Sequence, residues 1–121
     1  MIKASINIKD EERLLRAIKE GNEDVIKDSM KLIEDVIYKI EYEAYQNVPI
    51  DQGHLAASIR STFSKNKLIG NVVARGTKRP YAAWVEYGTI KTPAQPFIVP
   101  AATKFMYEFF EGAREIVRRR L

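Results

Sequence analysis

The sequence predicts an α+β fold in which a long helix and a C-terminal helix pack on a small antiparallel sheet with a central hairpin. Apolar and polar residues alternate from Ile2 to Lys9, as is typical of a half-buried strand. An apolar seam with steps of three and four runs through residues 26–44 and indicates the long amphipathic helix. Two strand-like segments, residues 58–64 and 68–75, flank a polar turn and predict the hairpin.

Composition and length fit a single domain spanning residues 1–121. Hydrophobic residues make up 45% and charged residues 30%, which favours a globular protein over a disordered one. The absence of cysteine excludes disulfides and thiolate metal sites, and it suits a reducing cytoplasm. No apolar run approaches the roughly 20 residues that a membrane span needs. We therefore expect no membrane partner and no secretion signal.

Short polar signals predict the boundaries of the first two helices. Asp10 is expected to cap the first helix, and Gly21 to end it. Asn22 is expected to cap the long helix, which should stop before Pro49.

The second half of the chain is predicted to hold a short helix, an extended arm and the last helix. The short helix covers residues 81–87, and Gly53 and Gly88 are expected to take positive φ at chain reversals. Residues 89–100 contain three prolines and predict a stiff arm, with Pro100 opening the last helix. The expected core face of that helix is Ala102, Phe105, Met106, Phe109, Ala113, Ile116 and Val117.

Tyr38, Tyr42 and Tyr45 lie beside the apolar seam of the long helix. They could form the edge of the core or an aromatic contact with another subunit. Because helical stripes usually face a core, the core-edge interpretation is favoured.

Charge is distributed unevenly along the chain. Residues 1–47 carry 8 basic and 11 acidic side chains, whereas residues 48–121 carry 12 and 5. A surface of one sign favours an acidic partner, either nucleic acid or the acidic face of a neighbouring subunit. The basic residues on or beside the hairpin form one candidate interface: Arg60, Lys65, Lys67, Arg75, Lys78 and Arg79.

These cations could make sequence-independent contacts with duplex DNA, and a small basic DNA-binding protein is the main alternative function. The sequence lacks a helix-turn-helix pattern, a zinc finger and an aromatic stacking signature. A solvated hairpin, or a docking surface for an acidic protein, explains the same charges.

Candidate catalytic residues are few. Asp51 and His54 are too few ligands for a closed metal site, and Asp51 fits a turn residue better. Glu86 lies among aromatic residues without a second carboxylate, so we expect a structural hydrogen bond to a backbone amide or a nearby arginine. No glycine-rich phosphate loop is present, so we expect no enzyme activity, cofactor or metal.

Three motifs together carry a resemblance to a known family. They read VPIDQGHLAASI at residues 48–59, YAAWVEYGT at residues 81–89 and PFIVPA at residues 96–101. Their order and spacing resemble the tail-component or neck proteins of long-tailed bacteriophages, which are similar to lambda-type minor tail protein Z. Gln52 stands where that family usually has threonine, and Val99 where a basic residue is common.

The resemblance covers about residues 20–120 and implies a structural virion protein in tail completion or head–tail joining, assembled in the host cytoplasm. It implies a ring around the DNA channel, with other neck or tail proteins as partners. Large aromatics such as Trp84 can close a core or form a subunit contact, and Trp84 is included in the candidate interface. A stiff arm that presents Phe97 and Ile98 should lose little entropy on docking to a neighbour, so both join the candidate interface.

Overall fold

A computed structural model describes residues 2–49, 53–75, 81–90 and 93–121. It confirms the predicted α+β fold, with helices packed on one face of a small antiparallel sheet. A 3₁₀ turn at Ile8–Asp10 joins the first strand to the first helix. The strands are β1 (Ile2–Asn7), β2 (Ile59–Phe63) and β3 (Ile69–Ala74), and the helices are α1 (Glu12–Lys19), α2 (Glu23–Asn47), α3 (Gly53–Ala57), α4 (Tyr81–Tyr87) and α5 (Ile98–Arg120).

The sheet has the order β1-β3-β2, so β3 is central and antiparallel to both neighbours. Ile2 of β1 and Ile59 of β2 both pair with Ala74 of β3, from opposite sides. The alternation predicted for β1 is confirmed, because Ile2 and Ile6 are buried while Lys3 is exposed. One face of the sheet therefore covers the core, and the other faces outward.

The long helices α2 and α5 lie side by side beneath the sheet. Two glycines permit their close packing: a Cβ on Gly70 of β3 would collide with Ile37 of α2, and one on Gly112 of α5 with Leu32 of α2. The central residues of the α2 seam, such as Ile33 and Ile37, are fully buried. Among the residues that the structure describes, no helix is long and apolar enough to span a membrane.

The boundaries of α2 agree with the sequence signals, whereas α1 and α5 begin at other residues than predicted. The Asn22 side chain accepts a backbone N–H from the first turn of α2, and Gly21 has φ +79°, as predicted. The prediction for Asp10 is wrong, because Asp10 lies in the 3₁₀ turn and the Glu11 carboxylate caps α1 instead, accepting from the Arg13 N–H at 3.2 Å. The 3₁₀ turn moves the cap and the helix start by one residue, a shift that composition cannot reveal.

Other local predictions meet mixed outcomes. Gly88 has φ +80°, as expected, but Gly53 lacks a positive φ because it is the first residue of α3. Helix α5 begins at Ile98, so Pro100 lies inside its first turn, where a missing backbone N–H costs no intrahelical bond. The prediction that Met106 faces the core is wrong, since its side chain is exposed.

Candidate assembly surfaces

Glu86 of α4 fixes the start of α5. Its carboxylate is buried, with the residue 3% exposed. Oε1 accepts the backbone N–H groups of Phe97 at 3.2 Å and Ile98 at 2.8 Å, and Oε2 accepts that of Val99 at 3.4 Å. These amides lie at the helix N-terminus, where a negative charge is favoured. The expected structural bond to a backbone amide is thereby confirmed, and it joins two of the three motifs.

The chain between α4 and α5 folds back onto the core. The Gln95 N–H donates to the Val85 carbonyl at 2.8 Å, and the Asn47 side-chain amide donates to the Phe97 carbonyl at 3.3 Å. Phe97 is 0% exposed and Ile98 1% exposed. The prediction that the arm presents these two residues to a neighbour is therefore wrong, because Glu86 draws their backbone inward and their side chains fill the core.

The other described residues of the arm lie on the surface. Residues 93–96 are exposed, and Ile90 projects its whole side chain into solvent. Residues 91–92 are outside the described parts of the chain. Of the exposed arm residues before α5 in the described ranges, Thr89 and Gln95 are polar, whereas Ile90, Ala94 and the two prolines are apolar.

The basic residues of the hairpin occupy its outer surface. Arg60, Lys65, Lys67 and Arg75 are exposed, whereas Lys78 and Arg79 lie outside the described residues. Lys67 takes φ +59° in the tight turn, and its backbone N–H donates to the Ser64 carbonyl at 2.9 Å. Whether these residues form an interface stays a prediction.

Lys3 joins the hairpin cations on the outer face of the sheet. The strand register places Lys3 opposite Val73, which is in turn opposite Arg60. A neighbouring row is polar: the Ser5 hydroxyl donates to Asn71 Oδ1 at 2.5 Å. No acidic residue belongs to the described strands. Sequence reasoning missed Lys3, because the pairing of β1 with β3 was not predicted.

The tyrosine flank of α2 is exposed. Tyr42 is 67% exposed and Tyr45 54%, so the favoured core-edge interpretation is wrong for both. Tyr38 packs edge-on against Phe63 of β2, with 5.6 Å between ring centroids. Trp84 of α4 is also partly exposed, as an interface residue requires.

The candidate metal and acid–base residues are not brought together in the described structure. His54 is exposed on α3, and Asp51 lies outside the described residues. In the described ranges, no cluster of three or more His, Cys, Asp or Glu side chains could hold a metal ion.

The C-terminal end of α5 is held to α2 by ion pairs. Asp28 of α2 contacts Arg119 at 3.0 Å and Arg120 at 2.9 Å. Hydrogen bonds from Arg120 and Arg119 hold the pKa of the Asp28 carboxyl below its usual range, and Asp28 raises the pKa of Arg120. Lys39 and Glu43 of α2 make further pairs with α5.

Comparison with protein families decides the affiliation of the chain. A family described as "Bacteriophage HK97-gp10, putative tail-component" matches residues 12–88. The chain belongs to this bacteriophage tail-component family. The predicted resemblance is confirmed, and the matched region contains the first motif and all of the second except Thr89. No curated protein and no solved structure matches the chain.

The family match ends at Gly88, before the PFIVPA motif and α5. It also begins after β1. The sheet edge formed by β1 and the helix pinned by Glu86 therefore lie outside the matched residues, although they complete the core that those residues form.

Proposed function

We propose that the chain is a non-catalytic structural subunit of the virion that acts in tail completion or head–tail joining and assembles as a ring. Its partners are further copies of itself and other neck or tail proteins. The observation that carries this proposal is membership of the phage tail-component family over residues 12–88.

The arrangement around Glu86 supports a structural role. Both carboxylate oxygens accept backbone N–H groups of α5. This acidic side chain therefore stabilises the fold, since it connects α4 to the first turn of α5. A rigid subunit loses less entropy on assembly than a flexible one.

Deleting the gene in the phage that encodes it tests the proposal. Electron microscopy should show filled heads that are separate from tails, or tails whose ends are incomplete. The wild-type gene supplied in trans should restore infectivity. Particles that are joined and infectious without the gene would refute a role in completion or joining. Native mass spectrometry of the purified chain over a concentration range tests ring formation, and a closed oligomer is expected.

The outer face of the sheet favours binding of an acidic partner, because no acidic residue lies among its exposed cations in the described strands. Reversing Lys65, Lys67 and Arg75 to glutamate should abolish incorporation into particles. Reversal of Lys27 and Lys31, exposed lysines of α2, is the matched control. Adding short duplex DNA to the native mass spectrometry identifies the acidic partner: DNA-dependent mass gain indicates DNA, and DNA-independent oligomers indicate protein.

A further inference from the structure

Among the described residues, neither edge of the sheet has a pairing strand. The bond from the Ile8 N–H to the Leu68 carbonyl, 3.0 Å, extends the β1–β3 ladder by one step. Bonded and non-bonded pairs alternate in an antiparallel ladder. Lys3, Ser5 and Asn7 therefore direct their backbone N–H and C=O groups away from β3, and no strand of the described chain pairs with this edge.

The same alternation defines the edge of β2. The Ser64 N–H donates to the Ile69 carbonyl at 2.9 Å, which fixes the bonded pairs of the β2–β3 ladder. Ile59, Ser61 and Phe63 consequently direct their backbone groups outward. In the described residues this edge also lacks a pairing strand.

Beside the β1 edge lies an apolar helix surface. A groove of about 430 Å³ separates Lys3 and Ser5 from Tyr87 of α4 and from Val99 and Met106 of α5. All three of these apolar side chains are exposed. Lys3 is the charged residue of the groove lining. We call this surface the β1–α5 side.

Beside the β2 edge lies a second, different apolar surface. A groove of about 360 Å³ runs between Ile59 at the strand edge and Tyr42 and Tyr45 of α2. Its lining includes Glu41 as well as Arg60. We call this surface the β2–α2 side.

The two sides have matching architecture and different chemistry. Each has a strand edge that no described strand pairs with, and exposed apolar side chains in the helix layer below it. We infer that the β1–α5 side of one copy docks on the β2–α2 side of a second copy, so that sheet and helix layers both continue across the contact. Lys3 of the first groove and Glu41 of the second are of opposite charge.

This contact is head-to-tail, because it joins two different patches, and head-to-tail contacts close into rings when the rotation permits. The inference rests on the proposed function, whose ring it describes in molecular terms. Strands β1 and β2 are both antiparallel to β3, so they run parallel to each other. If successive copies are related by rotation about an axis along the strands, β1 of one copy runs parallel to β2 of the next. The ladder between copies is then a parallel one.

A charged side chain lies at each edge of the sheet. Arg60 Nη1 donates to the carbonyls of Ala57 at 2.6 Å and Ile59 at 2.8 Å, which occupies one outward acceptor of β2. Lys3 places a cation on the other edge. Charged edge residues limit indiscriminate strand pairing, while Ser61 and Phe63 remain open to the specific partner.

Engineered disulfides test the contact directly, because the chain contains no cysteine. Ser5 and Thr62 both pair with Asn71, from opposite sides, so their Cα atoms lie two strand spacings apart, about 10 Å. A disulfide requires Cα atoms within about 7 Å. The double variant S5C/T62C can therefore link only between copies.

On mild oxidation of the double variant, we expect a ladder of trimers and longer species that collapses to monomer on reduction. The variant K3C/T62C samples the neighbouring register. An equimolar mixture of the two single variants, S5C and T62C, is the control and should stop at dimers. Failure of both double variants to pass the dimer, or efficient dimers of S5C alone, would overturn the inference.

Substitutions in the grooves provide a second readout. Met106→Glu or Tyr42→Glu in the S5C/T62C background should reduce species beyond the dimer at least tenfold. Tyr107→Glu, at an exposed α5 residue that lines neither groove, should leave the ladder unchanged. Equal effects of all three would contradict docking through these grooves.

The same variants in phage particles separate this inference from the proposed function. If the chain is incorporated into tails but S5C/T62C links there to a different protein, or to none, the copy-to-copy contact is refuted and the tail role stands. If the chain is absent from all particles, the tail role itself is refuted.

Discussion

The two ends of α5 are held to the body of the protein in different ways. At the N-terminal end, buried Glu86 accepts backbone N–H groups and Phe97 fills the core. At the C-terminal end, Asp28 makes ion pairs with Arg119 and Arg120, whose side chains are 53% and 37% exposed. The first anchor is shielded from water, and the second is partly accessible to water and salt.

The difference shows that the number of polar contacts at an anchor does not measure how much the anchor stabilises the fold. Each anchor combines one carboxylate with more than one donor. Removing the Glu86 carboxylate should cost much stability, because the buried amides left without an acceptor cannot bond to water. Removing the Asp28 carboxylate should cost little, because water and salt already screen its ion pairs. The residues of the buried anchor also lie in the family motifs, whereas Asp28 does not.

The largest effect is expected from Phe97→Ala. Removal of this fully buried ring leaves a cavity beneath the start of α5 and should lower the free energy of unfolding by about 4 kcal/mol. Urea unfolding followed by circular dichroism measures it. Tyr107→Ala, at an exposed aromatic of the same helix, is the control. Equal stability of the two variants would contradict the placement of Phe97 in the core.

Glu86→Ala should cost about 3 kcal/mol, because buried N–H groups of α5 lose a charged acceptor. Glu86→Gln keeps one oxygen acceptor but loses the negative charge at the helix N-terminus, so we expect about half that loss. Urea unfolding of both variants measures the series. A Gln variant less stable than the Ala variant would contradict the capping role.

Asp28→Ala should lower the free energy of unfolding by less than about 1 kcal/mol, since its partners are solvated. The loss should shrink further in 1 M salt, whereas the loss from Glu86→Ala should persist. Thermal unfolding at low and high salt compares the two variants. A salt-independent loss at Asp28 would remove the contrast between the two ends.

The smallest effect concerns pH. Because its arginine partners depress the folded-state pKa of Asp28, its stabilisation is complete above the unfolded-state pKa of about 3.9. It is lost as the pH falls through the lower folded-state value. The stability difference between wild type and Asp28→Asn should therefore vanish at acid pH. A stability difference that does not change with pH would contradict this origin.

Most of the fold was predictable because its elements are encoded locally. Alternation in β1, the seam of α2 and the hairpin each repeat at the period of their element. Strand order was not predictable, since β1 pairs with residues about seventy positions later and no local signal selects that partner. The predicted cap of α1 was wrong for a related reason, because Asp10 belongs to a 3₁₀ turn that precedes the helix.

The candidate site was less predictable. Composition indicated a stiff arm but not its direction, and the tertiary bonds from Glu86 turn Phe97 and Ile98 inward. The exposure of Tyr42 follows from the position of α5, which covers another face of α2. Both errors arise where contacts distant in sequence decide which side of a segment meets water.

The pairing of Ile2 with Ala74 has a consequence during synthesis. A ribosome that adds about 5–20 residues per second needs roughly 4–14 s to travel from one to the other. A hairpin such as β2–β3 closes in about 1–10 μs once both strands have emerged. Translation, and not chain folding, therefore sets how long the first strand waits without a partner. The pace of the ribosome through the first 74 codons decides how long this nascent strand is open to pairing with neighbouring polypeptides.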